Sequence, residues 1–340
     1  MNLQEECQRS VRAGLEFLEK SQLPSGEFLT LVGPEPDLVR DTKHDPSIFT
    51  TVNVATSLLD IDDPQARRIV RRAADFLLSE MLPGGLWRFW TKAHPGSRGM
   101  PPDVDDTSCV SWLLRRLGCE FPDNRRVLLH NRRPDGRFFT WITPRIRHLA
   151  FPEGRSFLVR AFASGRARAV YFKSGPQPPS RRDTDCVVNA NVITYLAHDR
   201  CCANAAAWVA QVVQKGDAAS TDRWYQSPAA LLYAVARGAE QGIPAFSSLK
   251  ALVAGKSEGW HPFQGSALEA GLRACALSAV APSSLRLVPL IEIIFAAQEK
   301  DGGWAARAYY YDSYKCALCW GSRELTTGFC LEALSRYAKR

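Results

Sequence analysis

The sequence has no apolar run approaching the roughly 18 residues that a membrane-spanning helix needs. It has no second C-x-x-C to pair with Cys316 and Cys319, and the adjacent Cys201 and Cys202 cannot chelate as a zinc knuckle does, so no metal is expected. A phosphate-binding glycine loop, a G-x-S-x-G elbow and a zinc-hydrolase motif are all missing, and no cofactor is expected. The first residues carry Glu5, Glu6 and Glu16 and no long apolar stretch, which reads as neither signal nor transit peptide and points to a cytoplasmic protein. Strand-type alternation is scarce, so nothing competes with a helical reading.

What is present is apolar and locally basic. Apolar residues fill 46% of the 340 positions and aromatics 10%, ample for a large core. The ten cysteines lie mostly in apolar helical patterns, as Cys109, Cys186, Cys275 and Cys330 do, where the reduced side chain acts as a small hydrophobe. The net charge of +8 is concentrated: residues 138–182 hold nine Lys and Arg against the single acid Glu153, which accounts for the whole excess. The same segment interleaves Phe138, Phe139, Trp141, Phe151, Phe157, Phe162, Tyr171 and Phe172 and ends rich in proline. Its default reading is a solvated excursion. Two functional readings stand beside it: an arm resting peripherally on anionic membrane, and a lid whose Arg181 and Arg182 hold a substrate diphosphate. No nucleic-acid-binding motif accompanies the charge, so nucleic acid is not an expected partner.

Internal repeats set the architecture. Residues 13–28, AGLEFLEKSQLPSGEF, align without a gap with residues 72–87, RAADFLLSEMLPGGLW, and QEKDGGW at 298–304 repeats the closing half. RRPDGRF at 132–138 is a weaker copy. Each copy ends a helix in a turn that closes on Gly-x-aromatic, and a second helix follows. Six apolar helices, opening at Asp45, Asp103, Asp183 to Asp185, Ser227, after Pro262 and at Glu324, alternate with six amphipathic ones over about 3–20, 64–81, 123–131, 203–214, 245–254 and 284–298. That alternation predicts an all-α fold, an (α/α)6 double-ring barrel spanning 1–340 as one domain, with 138–182 inserted between the second and third inner helices. Parallel inner helices gather their N-termini at one rim, with Asp45, the Asp103 cluster, Asp183, Asp185, Tyr225, Trp260 and Glu324, and the cavity is expected to open there. Asp60, Asp62 and Asp63 fall at the opposite rim and read as the cap of the helix beginning at Pro64.

The stretch Met100 to Leu114, MPPDVDDTSCVSWLL, places Asp103, Asp105 and Asp106 within four positions just before an apolar helical run. Like charges this close push at least one carboxyl pKa upward, which makes one of them a candidate proton donor. Capping competes with that reading: Asp103 is a natural N-cap and Asp106 resembles its capping-box partner. Capping leaves Asp105 unexplained. On the third inner helix, Asp185, Asn189 and Asn191 are polar residues in an apolar run; they either cap and bridge helices or face the cavity as partners of the acid or of the substrate.

Asp103-Val104-Asp105-Asp106-Thr107, after Pro102 and before a helix containing Trp112, resembles the acid motif of class II terpene cyclases, squalene-hopene cyclase above all. The repeats resemble that family's helix-ending Q-x-x-x-G-x-W motif. The resemblance implies that Asp105 is the general acid protonating a terminal alkene or epoxide of a linear isoprenoid, with Asp103 and Asp106 holding and tuning it. It also implies that Phe28, Trp87 and Trp304 brace turns and do not touch substrate. A carbocation needs a dry cavity with aromatic faces, and the rim candidates are Trp90, Tyr225, Trp260, Phe263 and Tyr309 to Tyr311, with Tyr310 central. Squalene-type cyclases join two barrels, whereas this chain has room for one. Two other readings keep the barrel: a carbohydrate-active enzyme pairing Asp105 with Asp185, and a non-catalytic isoprenoid- or partner-binding barrel related to the protein prenyltransferase β subunit.

Overall fold

The computed structural model describes residues 3–163, 182–197, 199–258, 265–312 and 317–340. Helices come in pairs along the chain: α1 (Leu3–Ser21) with α2 (Ile48–Leu58), then α3 (Pro64–Glu80) with α4 (Val104–Arg116). The third pair, α5 (Arg125–His130) and α7 (Cys186–Leu196), is separated by the inserted α6 (Pro152–Ala163). Then follow α8 (Ala203–Lys215) with α9 (Pro228–Glu240), α10 (Lys250–Glu258) with α11 (Ala267–Val280), and α12 (Leu287–Ala296) with α13 (Arg323–Ala338). The second members pack in a closed circuit, α2 on α4, α4 on α7, α7 on α9, α9 on α11, α11 on α13 and α13 back on α2. The first members form the outer layer, in which α1 packs on the inner α13 and beside α3. The expected double ring is therefore present, with each pair at its predicted place.

The repeat works through a shared set of hydrogen bonds. Gln22 Nε2 donates to the Gly26 carbonyl at 2.9 Å, and Gln298 Nε2 donates to that of Gly302 at 2.9 Å. Both glycines have positive φ, 94° and 91°, which a side chain would strain, and a Cβ on Gly302 would lie 2.3 Å from the Ala13 carbonyl oxygen. The aromatic that ends the turn is then fixed twice. The indole N–H groups of Trp87 and Trp304 donate to Leu77 and Ile294 carbonyls, each at 2.7 Å, on the helix just finished. The backbone N–H groups of Phe28, Trp87, Phe138 and Trp304 donate to side chains of the next inner helix, Thr51, Thr107, Asn189 and Thr327. All four aromatic rings are fully buried.

Capping sets where the inner helices begin. Ser47, Asp103, Asp185, Ser227, Ser266 and Ser322 each accept a backbone N–H from the first turn. Two expected starts move. Asp45 is not the cap of α2, because Ser47 takes that place and the Asp45 carboxylate turns to the indoles of Trp90 and Trp320 at 2.9 and 2.7 Å. Glu324 sits inside the first turn of α13, behind Ser322. Asp63 caps α3 with Pro64 at its first position, as read from sequence.

A small antiparallel sheet departs from the all-helical expectation. Its strands β1 (Leu31–Gly33), β2 (Lys43–His44), β3 (Arg307–Tyr311) and β4 (Cys319–Ser322) lie in the order β2-β1-β4-β3. Strand β4 runs straight into α13, so the sheet lies at the rim where the inner helices start. The run Arg307 to Tyr311 is extended because its tyrosines pack inward while its backbone pairs with β4.

Candidate active site

Asp105 stands on the first turn of α4, where the Asp103 cap and the helix N-terminus favour negative charge. Its Oδ1 accepts Asn191 Nδ2 at 2.9 Å, and its Oδ2 accepts the Tyr225 hydroxyl at 2.5 Å. Each carboxyl oxygen has a second lone pair, so both bonds leave a position for an acidic proton. Burial pushes the Asp105 carboxyl above its ordinary range, while Tyr225, Asn191 and the Arg237 charge pull the other way. Asp103 Oδ1 accepts the Asp106 backbone N–H at 2.7 Å. Burial raises Asp103 to about 7, with the Asp105 charge adding to it, and burial with the Asp103 charge pushes Asp106 well above the carboxylate range. Asp103 caps the helix, Asp106 gives that cap its backbone N–H and does not close a capping box because the Asp103 N–H donates to the Trp87 carbonyl, and Asp105 reaches across the ring to α7 and the approach to α9.

An aromatic chain descends from the acid through the ring. Tyr225 lies 5.1 Å from Tyr309, Tyr309 lies 5.7 Å from Phe49 and 5.1 Å from Phe329, and Phe329 lies 5.3 Å from Tyr233, all between ring centroids. Tyr310 joins Phe49 and Phe89 at 5.2 Å, Trp224 at 5.5 Å and Tyr225 at 5.6 Å, and this layer closes the acid end. On α4 the inward positions step by turns from Asp105 to Cys109, Trp112 and Arg116.

Hollows lie both at the acid rim, where the sequence placed the opening, and at the far one. A cavity of about 490 Å³ lies at the opposite rim, where inner helices end, and reaches inward to Trp112, Tyr233 and Arg237. Part of the acid end is covered by β3, β4 and their tyrosines, which sequence reasoning had as cavity lining without a sheet. A second hollow of about 620 Å³ sits beside the acid rim against Ser227, Glu269, Arg307 and Tyr309.

The other expected site residues scatter accordingly. Tyr225 and Tyr310 are beside the acid. Trp90 is not: it stacks on His94 at 4.0 Å and donates to Asp45, bracing the rim. Asp185 is spent on backbone, its two oxygens accepting Val188, Arg223 and Trp224 N–H groups at 3.0, 2.7 and 3.0 Å. Asn189 bonds the Phe138 backbone in the repeat's frame, so the polar residue of α7 that meets the acid is Asn191. Arg182 adjoins the start of α7, on the rim away from the 490 Å³ cavity. Arg181, Trp260 and Phe263 lie outside the described residues, as do 164–181 of the basic segment. Sequence reasoning missed Phe49, Tyr233 and Phe329; a turn-by-turn count of aromatic and polar residues on the inner helices would have found them. Among the described residues no group of three or more His, Cys, Asp or Glu side chains is arranged to hold a metal ion.

Neither a family model nor a curated protein matches the chain by sequence. Solved structures do match by fold. The apo form of type II terpene cyclase MstE from Scytonema superposes with a TM-score of 0.70 at 13% identity, covering 98% of this chain and 99% of that one. An apo variant of MstE gives 0.69 at 15% identity, with 99% and 98% covered. A second variant, in complex with its substrate geranylgeranyl dihydroxybenzoate, gives 0.67 at 15% identity, with 99% of each chain covered. Over nearly its whole length, the chain has the fold of the type II terpene cyclases.

Proposed function

We propose that the protein is a class II terpene cyclase in which Asp105 protonates the terminal alkene of a linear isoprenoid. The observation that carries the reading is the carboxyl of Asp105, buried and raised, yet bonded on both oxygens by neutral donors and flanked by aromatic faces. Burial keeps the acid protonated at rest; Tyr225, Asn191 and the helix N-terminus stabilise the carboxylate it leaves. The chain enters tail first from the 490 Å³ cavity and follows Tyr233, Phe329 and Tyr309 toward Asp105. Asp105 gives its proton to the terminal alkene carbon, the tertiary cation is attacked by the next alkene, and ring closure continues until a proton is lost. The ring faces attract the passing cation, each by about 0.5–2 kcal/mol. MstE acts on a prenylated dihydroxybenzoate, which makes an isoprenoid with an aromatic head the first substrate to try.

The test is Asp105→Asn against geranylgeranyl dihydroxybenzoate, squalene, and farnesyl and geranylgeranyl diphosphates, in EDTA. Cyclisation by the wild-type protein without added metal, and its loss by at least about a thousandfold in the variant, is the expected result. Wild-type rates in the variant would end the assignment. The carbohydrate-active reading loses its second carboxylate, since both Asp185 oxygens are occupied by backbone.

The basic insertion is proposed to rest on anionic membrane. Ile146, Leu149 and Val159 are 87, 56 and 69% exposed, unusual for apolar side chains so close in sequence, and Arg147 and Arg155 are exposed among them. No described helix is long and apolar enough to cross a membrane.

A further inference from the structure

Protonation and ring closure leave the last proton without an acceptor. Four rings run from the acid to the 490 Å³ cavity, Tyr225, Tyr309, Phe329 and Tyr233, with successive centroids 5.1, 5.1 and 5.3 Å apart. Among the described residues, a carboxyl group is hydrogen-bonded to each end of this series. Tyr225 donates to Asp105 at one end; at the other, the hydroxyl of Tyr233, on α9, donates to Oε2 of Glu332, on α13, at 2.8 Å. The two ends differ in charge. Asp105 is held by neutral donors, whereas Glu332 Oε1 accepts Arg336 Nε at 2.9 Å, an ion pair that leaves Glu332 an acceptor of protons. Arg336 also bonds Glu240 at 2.8 and 3.1 Å, so it stays paired when Glu332 takes up a proton. Tyr233 and Glu332 are only 3 and 7% exposed, and both line the cavity. The other cavity carboxylates, Asp60 and Glu240, are exposed and bonded to Arg116 and Arg336.

We propose that Tyr233 is the base that ends cyclisation, relaying the final proton to Glu332. The inference rests on the cyclase reading and adds to it where and how the last cation is discharged. With the tail of the chain at Asp105, the last cationic carbon comes to the far end of the ring series, at Tyr233. There a C–H bond beside the cationic carbon breaks, and its electron pair forms the C=C bond of the product. The proton passes to Tyr233 Oη while the hydroxyl's own proton passes to Glu332 Oε2. Glu332 then gives it up to water in the cavity, and Asp105 takes one from solvent, so substrate and product are isomers. A hydroxyl that donates one bond keeps its lone pairs for an incoming proton. Burial and the Glu332 charge push the Tyr233 hydroxyl well above its ordinary range, with the Arg237 charge opposing them. The phenol is therefore neutral at rest and serves as a relay, not as a tyrosinate.

Geranylgeranyl dihydroxybenzoate is converted in D2O and the products are identified by mass and NMR spectroscopy. The wild type is expected to form mainly one cyclic alkene. Tyr233→Phe keeps the ring against Phe329 and removes only the hydroxyl. It is expected to turn over more slowly and to make at least about fivefold less of that alkene as a share of product, in favour of other alkenes or water-captured alcohols. All of these still carry deuterium on the carbon protonated first. Glu332→Gln, which keeps an acceptor for the Tyr233 hydroxyl but cannot take its proton, shifts the products in the same way, and the double variant goes no further than either single one. Near-UV circular dichroism confirms that each variant is folded. An unchanged product distribution in folded Tyr233→Phe or Glu332→Gln overturns the proposal, as do shifts that add in the double variant. A wild-type product closed by water or by a substrate hydroxyl, or a folded Tyr233→Phe that incorporates no deuterium, likewise overturns it while leaving Asp105 as the acid. Failure of the wild type to cyclise any isoprenoid would overturn both.

Discussion

Asp105 has to be neutral at rest and yet leave a stable anion, and its two partners address the second demand. The Tyr225 hydroxyl lowers the carboxyl pKa, so Tyr225→Phe raises it and weakens the acid. A hydrogen bond to a charged group contributes about 1.5–3 kcal/mol, so kcat is expected to fall roughly 10- to 100-fold. The pH profile gives the more specific readout. Because the protonated form is the active one, kcat declines as pH rises through the raised Asp105 pKa, and in Tyr225→Phe that alkaline limb moves to higher pH. A limb that stays put, or moves down, contradicts the assigned role. At this scale the sequence was legible for the acid and not for its partners. Three aspartates within four positions announce unusual chemistry, and capping accounts for Asp103. Nothing local distinguishes Asn191 from Asn189 two residues earlier; the difference is which face of α7 each occupies once the ring closes.

At the scale of the element, the repeat is a turn that binds the helix before it to the helix after it. Gly302→Ala places a Cβ 2.3 Å from the Ala13 carbonyl oxygen at a φ of 91°, and a loss of about 1–3 kcal/mol in urea denaturation is expected. The caps add a pH dependence. Burial pushes Asp103 and Asp185 up to about 7 in the folded protein, against the ordinary value of 3.8. Both are thus better protonated when folded: the stability they contribute is complete below about pH 4 and is lost as pH rises toward 7. Urea midpoints should fall across that window, and the fall should be shallower in Asp103→Asn. A midpoint that rises from pH 4 to 7 by an Asp103-dependent amount contradicts the assignment. Helix positions were readable because each is announced by periodicity and a capping residue. The sheet was not, since β1 and β2 are too short to alternate and β1 meets β4 only through the closed fold.

The molecule as a whole has a hollow at each rim, about 620 Å³ beside the acids and about 490 Å³ where the inner helices end. Gathering the acids at one rim suggests an opening there, and the strands Arg307–Tyr311 and Cys319–Ser322 cover part of that rim with tyrosines. Long-range cover of this kind has no local sequence signal. The basic insertion gives a prediction at the same scale. Binding to phosphatidylserine vesicles in a sedimentation assay should drop several-fold when Ile146 and Val159 are changed to Ser, and should weaken with salt. Binding insensitive to both changes removes the membrane reading and leaves the cyclase untouched.

Solvent deuterium reaches the central claim most directly. If Asp105 starts the reaction by protonating an alkene, then geranylgeranyl dihydroxybenzoate converted in D2O should yield cyclic product carrying one solvent-derived deuterium on the carbon protonated first, and Asp105→Asn should yield none. A cyclic product with no deuterium at carbon, or the same labelled product from the variant, contradicts it.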